Sequence, residues 1–230
     1  MRVIIFGATG MVGQGVLREC LRDPDVERVL AVGRSASAEQ HPRLRQLVVP
    51  DVGDLSRIAD QLAGYDACFF CLGVSSAGMK EDRYRRLTYD LTLSVARTLA
   101  ALNPAMTFVY VSGAGTDSTE RGRVMWARVK GATENALLQL PFTRAVMFRP
   151  AYIQPMHGIA SKTPLYRALY AVSSWLYPLL SALAPHLVTT TEGIGQAMLA
   201  VAKHGAPASI LETRDINDRL RSARARAPAS

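Results

Sequence analysis

The chain has 230 residues and 25.0 kDa, with 49% hydrophobic and 20% charged residues. That is enough apolar material for one packed α/β domain and excludes a disordered, collagen-like or disulfide-stapled chain. The net charge is +8, but residues 214–230 hold +3 of it as five Arg against two Asp; the +5 over the body forms no basic run. Nucleic-acid binding is therefore weakly supported, and a phosphorylated small ligand suits the charge as well.

The chain opens Met1-Arg2-Val3-Ile4-Ile5-Phe6-Gly7, an apolar run too short for a secretory signal, so a cytoplasmic location is expected. Apolar runs at 3–6, 29–32, 47–49, 68–72, 107–111, 146–148 and 210–211 read as strands. Between them Leu87, Leu91, Val95, Leu99 and Leu102 recur at near-helical spacing, and 124–140 and 193–203 also read as helices. Continuous apolar strands alternating with helices predict a doubly wound parallel sheet of Rossmann-like type, with helices on both faces. Residues 1–213 form that domain, including a small substrate-side cap over 150–190, and 214–230 reads as a helix remnant fading into a mobile basic tail. In such sheets ligands sit beyond the carboxyl ends of the strands, where strand order reverses.

Cys20, Cys68 and Cys71 have no framework spacing and fit a reducing compartment. Cys68 and Cys71 make a C-x-x-C, but Ala67-Cys68-Phe69-Phe70-Cys71-Leu72 reads as a buried strand, and both are expected in the core rather than in redox chemistry. His41, His157, His186 and His204 offer no metal-ligand spacing, and no metal is implied.

Gly7-Ala8-Thr9-Gly10-Met11-Val12-Gly13 follows the first strand and opens a helix, the context that a dinucleotide fingerprint requires. Gly7 would allow the tight turn, Gly10 the approach of a diphosphate and Gly13 the packing of helix on strand, with Thr9, Met11 and Val12 completing the contact. The second strand ends in Gly33-Arg34-Ser35, where an NAD site would present a carboxylate to the ribose 2′-hydroxyl. Arg34 suits a 2′-phosphate instead, so NADP is expected over NAD; as an alternative Arg34 is a solvated turn residue.

These motifs resemble the short-chain dehydrogenase/reductase superfamily, specifically its atypical Gly-x-x-Gly-x-x-Gly branch with NmrA-like and Tat-interacting-protein-like members, over about residues 1–213. The resemblance implies that Asp51 and Val52 flank the adenine and that Cys71-Leu72-Gly73 lines the ribose. Asp90 falls near the family's structural Asn, a departure that removes an amide donor. Ser112, after the fifth strand, matches the serine that bonds a substrate oxygen. In Trp126-Ala127-Arg128-Val129-Lys130 the family's Tyr-x-x-x-Lys keeps its lysine, which holds the nicotinamide ribose, but Trp126 replaces the tyrosine. Indole N–H can polarise a carbonyl and cannot transfer a proton near neutral pH. Each of the three also has a bland reading: Trp126 as packing, Lys130 as a solvated side chain, Ser112 as a turn cap. Tyr152 and His157, in the loop after the sixth strand, are the replacement acid/base candidates, with Tyr84 and Tyr89 behind them.

Residues 168–188 carry no Asp, Glu, Lys or Arg. Pro178 and Pro185 argue against a membrane crossing, and the segment is expected to cover the substrate pocket or a second subunit, with peripheral membrane contact as the alternative. The sequence thus points to an NADP(H)-binding oxidoreductase acting on a small apolar carbonyl compound, possible as a homo-oligomer and without nucleic acid. The competing readings are a non-catalytic dinucleotide sensor and a membrane-associated binding module.

Overall fold

The computed structural model describes residues 1–159, 177 and 184–226. Each of the seven apolar runs becomes a strand of one sheet: β1 (Arg2–Phe6), β2 (Arg28–Gly33), β3 (Leu44–Val48), β4 (Ala67–Phe70), β5 (Thr107–Val111), β6 (Arg144–Arg149) and, last in the chain, β9 (Ile210–Glu212). Their order is β3-β2-β1-β4-β5-β6-β9, and every pairing is parallel. The chain leaves β1 toward β2 on one side and later returns to β4 on the other, so the switch point lies between β1 and β4. This is the expected doubly wound α/β fold.

Alternate side chains of each strand feed two cores. Val3, Ile5, Val29 and Phe69 pack on one face and Ile4, Phe6, Leu30 and Phe70 on the other, all essentially excluded from solvent. The first face is covered by α1 (Met11–Arg22) and α5 (Thr191–His204), the second by α3 (Leu91–Leu102) and by Leu137 of α4 (Met125–Leu138). Burial on both faces is why these strands read as unbroken apolar runs.

The helix expected from residue 87 begins earlier, as α2 (Glu81–Arg85), and reaches α3 through a π-helical turn over Arg86–Asp90. The wide turn rotates the buried stripe, so Tyr84 and Thr88 face inward while Leu87 is exposed. A pair of three-residue parallel strands not visible in the sequence, β7 (Tyr152–Gln154) and β8 (Val188–Thr190), lies outside the main sheet.

The expected helix remnant at the C-terminal end is longer than the sequence suggests. Residues Thr213–Arg226 form a helix, α6, anchored by Ile216, which is fully buried in the core against which α5 packs. Asn217 donates to the Pro185 and Val188 carbonyls at 3.1 and 2.9 Å, and Arg219 donates to the Gly205 carbonyl. One apolar anchor and backbone-directed amide and guanidinium bonds order a segment whose composition alone looks solvated. Most of the apolar segment 168–188 lies outside the described residues. Among those described, no helix is long and apolar enough to cross a membrane.

Candidate functional site

A cleft of about 680 Å³ opens at the carboxyl ends of β1, β2, β4 and β5, across the switch point. Its floor is the glycine turn. Gly7 adopts φ +85°, and a side chain there would meet the Cys71 backbone at 2.8 Å. The Gly10 N–H donates to the Gly7 carbonyl at 2.9 Å and Gly10 caps α1, with no side chain capping the helix and no acidic residue in its first turn. Gly13 is buried behind the turn, where a Cβ would lie 2.0 Å from the Gly7 carbonyl oxygen. The turn thus combines backbone donors, a positive helix end and no side-chain obstruction, which fits a diphosphate.

Of the residues singled out in the sequence, Gly7, Thr9, Gly10, Met11, Val12, Arg34, Val52, Leu72, Gly73, Ser112 and Lys130 all line this one cleft. Arg34 stands exposed at the β2 end; Ser112 and Lys130 lie at the β5 and α4 end. That polarity, guanidinium at one end and ammonium with hydroxyl at the other, fits a dinucleotide laid across the sheet edge.

Besides Gly13, which packs behind the turn, two expected residues do not line it. Asp51 turns outward, its Oδ1 accepting the Gly53 N–H at 2.8 Å in a local turn that Val52 follows inward. Trp126, in the first turn of α4, packs its ring edge toward Gly115, where a Cβ would come within 3.7 Å of Cη2. Residues 126 and 130 share a helix face, but the loop after β5 lies against the first turn while Lys130 reaches past it into the cleft.

The replacement acid/base candidates are also elsewhere. Tyr152 donates to Gln154 Oε1 at 2.9 Å. The His157 ring pairs with Glu192 at 2.8 Å and lines a neighbouring cavity of about 690 Å³, which shares only Thr9, Ala36 and Ser37 with the cleft. Tyr84 is the buried residue of α2 itself, and Tyr89 carries the Arg85 guanidinium 4.1 Å above its ring. None of the four lines the dinucleotide cleft.

Three ionisable side chains remain among the described lining residues: Arg34, Cys71 and Lys130. Burial pushes the Cys71 thiol up to about 12, which removes it from acid/base work near neutral pH. Lys130 Nζ donates to the Ser112 carbonyl at 2.7 Å and sits 6.0 Å from the centre of the Tyr110 ring. Desolvation lowers it to about 8, against the opposing pull of Glu134 one turn along α4. Glu134 is itself fully buried and accepts from Arg149 Nε through both oxygens at 3.1 Å, with Arg149 also donating to Ser118 Oγ at 2.6 Å. This pair ties α4 to β6 and so fixes the helix that carries Lys130. The Ser112 hydroxyl lies 2.9 Å from Thr116 Oγ1, which in turn donates to the Gly113 carbonyl at 2.7 Å.

Sequence reasoning missed Ser37, Gln46, Leu47, Val111 and Ile153, all of which line the cleft. Leu47 and Val111 lay inside predicted strands and could have been placed by their nearness to the strand ends; Gln46 carried no signal. Cys71, expected in the core, is half-buried at the cleft wall, whereas Cys68 is fully buried. Among the described residues no group of three His, Cys, Asp or Glu side chains is arranged to hold a metal ion.

Fold and cleft together define a dinucleotide-binding protein of the atypical short-chain dehydrogenase/reductase class. Residues 7–138 match the NAD(P)H-binding family model, and the chain belongs to that family. It is 30% identical over 158 residues to the mitochondrial protein fmp52 of Emericella nidulans, covering 66% of each chain. It is 30% identical over 154 residues to the protein HTATIP2 of Rattus norvegicus, covering 66% of this chain and 62% of that one. The alignments thus span just under two thirds of these relatives. Among solved structures it resembles yeast methylglyoxal/isovaleraldehyde reductase Gre2 complexed with NADPH, with TM-score 0.67 at 14% identity over 92% of this chain and 78% of that one. The Bordetella bronchiseptica enzyme WbmF in complex with NAD+ gives TM-score 0.65 at 16% identity over 96% and 77%. At such identities the likeness concerns the fold.

Proposed function

We propose that this protein binds NADP(H) in the cleft at the glycine turn and reduces small, largely apolar carbonyl compounds at its Ser112 and Lys130 end. The observation that carries the reading is the single cleft joining Gly7, Gly10 and Arg34 to Ser112 and Lys130. The nicotinamide, when bound, supplies the hydride. The first-turn amides of α1 would hold the diphosphate, and Arg34 the 2′-phosphate through its planar donor fork. Lys130 would hold the nicotinamide ribose and deliver a proton to the substrate oxygen as the carbonyl is reduced, then recover it from solvent. Three points support that second role. Trp126 cannot release a proton, Cys71 is held protonated, and the Lys130 ammonium is desolvated enough to exchange its proton near neutral pH.

The test is turnover of NADPH with hexanal, benzaldehyde and related aldehydes and ketones by wild type, Lys130→Ala and Trp126→Tyr. Wild-type turnover that collapses in Lys130→Ala supports the reductase. The substitution at Trp126 favours one second reading, a dinucleotide sensor that binds without turnover. A silent wild type that still binds NADPH would replace the first reading by the second, and because residue 126 stands outside the cleft, Trp126→Tyr is not expected to restore turnover.

A further inference from the structure

The segment that carries Arg34 lies between two anchors. Behind it, the Gly33 carbonyl accepts the Val49 N–H at 2.9 Å, closing the β2–β3 ladder. Ahead of it, the side-chain amide of Gln46 on β3 grips the chain. Its Oε1 accepts from the Ser37 N–H at 2.7 Å and from Ser37 Oγ at 3.1 Å; its Nε2 donates to the Ser37 carbonyl at 3.3 Å and to the Glu39 carbonyl at 3.1 Å.

Both amide hydrogens and the carbonyl oxygen of Gln46 are thereby committed to one stretch of loop. Arg34, Ser35 and Ala36 hang between the Gly33 and Ser37 anchors, and all of them line the cleft together with Gln46 itself. Arg34 to Ala36 are exposed, so no packing holds them. Without the far anchor the three residues would sample many conformations, and that freedom would be lost when an anion orders them.

We infer that Gln46 is the residue that sets dinucleotide selectivity, by pre-forming the Arg34–Ser37 loop as a receptor for the adenosine 2′-phosphate. The inference rests on the NADP reading above and deepens it: Arg34 supplies the charge, and Gln46 supplies its position. Gln46 is a positioning residue. NADH lacks the phosphate that the loop would grip and depends on the glycine turn, which Gln46 does not touch.

The experiment is calorimetric titration of NADPH and NADH into wild type, Gln46→Met, Arg34→Ala and the double variant, with thermal unfolding as a check on the fold. Met keeps the length of the side chain and removes its hydrogen bonds. Gln46→Met is expected to weaken NADPH about tenfold, the loss of one well-placed charge-assisted bond, while the NADH dissociation constant changes by less than about twofold. In the Arg34→Ala background the same substitution should have no further effect on NADPH, because a positioning residue has nothing left to position. An unchanged NADPH to NADH ratio in a folded Gln46→Met overturns the inference, as does a loss that persists in full without Arg34. A wild type without preference for NADPH removes the NADP reading itself, and this inference with it. A wild type that prefers NADPH with an unaffected Gln46→Met removes the inference alone.

Discussion

A methyl group at Gly13 and one at Gly10 should differ in their effect on stability, although both weaken binding and the two glycines stand three residues apart in one motif. The Gly13→Ala methyl would lie 2.0 Å from the Gly7 carbonyl oxygen and 2.7 Å from its carbon. Non-bonded atoms settle at roughly 3.5 Å, so α1 and the turn must part by about 1 Å or more. Overpacking of backbone against backbone costs about 1–3 kcal/mol, and no flexible side chain is present to absorb it. Moving the helix end by that amount also breaks about two amide–phosphate bonds, a loss of about 3 kcal/mol or ~100-fold in NADPH affinity. Gly10 has an allowed backbone conformation at φ −80° and ψ 166°, and its methyl would meet only the Gly7 oxygen, at 3.3 Å. Gly10→Ala should therefore leave stability within about 1 kcal/mol of wild type, yet weaken binding because the methyl stands where the diphosphate must pass. Urea unfolding and calorimetric titration of both variants separate the two effects. A Gly13→Ala protein with wild-type stability, or a Gly10→Ala protein that unfolds early while binding normally, would refute the assignment of packing to one glycine and ligand approach to the other.

Glu134→Ala should destabilise the protein by about 3–5 kcal/mol in urea unfolding, because it leaves the Arg149 guanidinium without its buried carboxylate; a loss under about 1 kcal/mol would contradict the role given to the pair. Lys130 is lowered to about 8 in the fold against an ordinary 10.5, so between those values the unfolded chain binds the extra proton and folding stability should rise with pH. Measured as the gap between wild type and Lys130→Met from pH 7 to 10, wild type should gain by up to about 3 kcal/mol; a flat gap would mean that the amine is solvated. For the same reason reductive turnover should fall above about pH 8, as the proton to be delivered is lost, and reductive turnover that keeps rising above that pH would exclude Lys130 as its source. Asn103→Ala should cost about 1–3 kcal/mol, since the buried Asn103 amide accepts from the Tyr65 N–H at 3.0 Å and donates to the Leu62 carbonyl at 2.9 Å.

The sheet was legible because residues such as Ile4, Phe69 and Val109 are buried whichever face they point to, leaving unbroken apolar runs that no surface strand shows. β7 and β8 escaped because three residues paired across more than thirty carry no periodicity. In α6 the buried apolar Ile216 is outvoted by Arg214 and Arg221, which stay in water, and Arg219, which reaches a backbone carbonyl. The glycine turn and Arg34 could be found from the sequence because each directly follows a strand, whereas Ser112 and Lys130 were marked by the resemblance to the short-chain dehydrogenase/reductase motifs. Asp51 and Trp126 have equally good spacing and lie outside the cleft, one drawn into a local turn by its own carboxylate and the other held against the loop after β5. Gln46 illustrates the converse. Its partners are backbone atoms of a loop, which any sequence would provide, so nothing in the pattern distinguishes it from a polar residue on an edge strand.

The central claim is that backbone donors at the first strand–helix junction grip a pyridine dinucleotide. Titrating NADPH into wild type and Gly10→Val in a calorimeter tests it most directly. The account predicts saturable binding of one nucleotide per chain in wild type and its loss in a Gly10→Val protein that remains folded. Absence of binding by either NADPH or NADH in wild type, or equal binding by the variant, would contradict it.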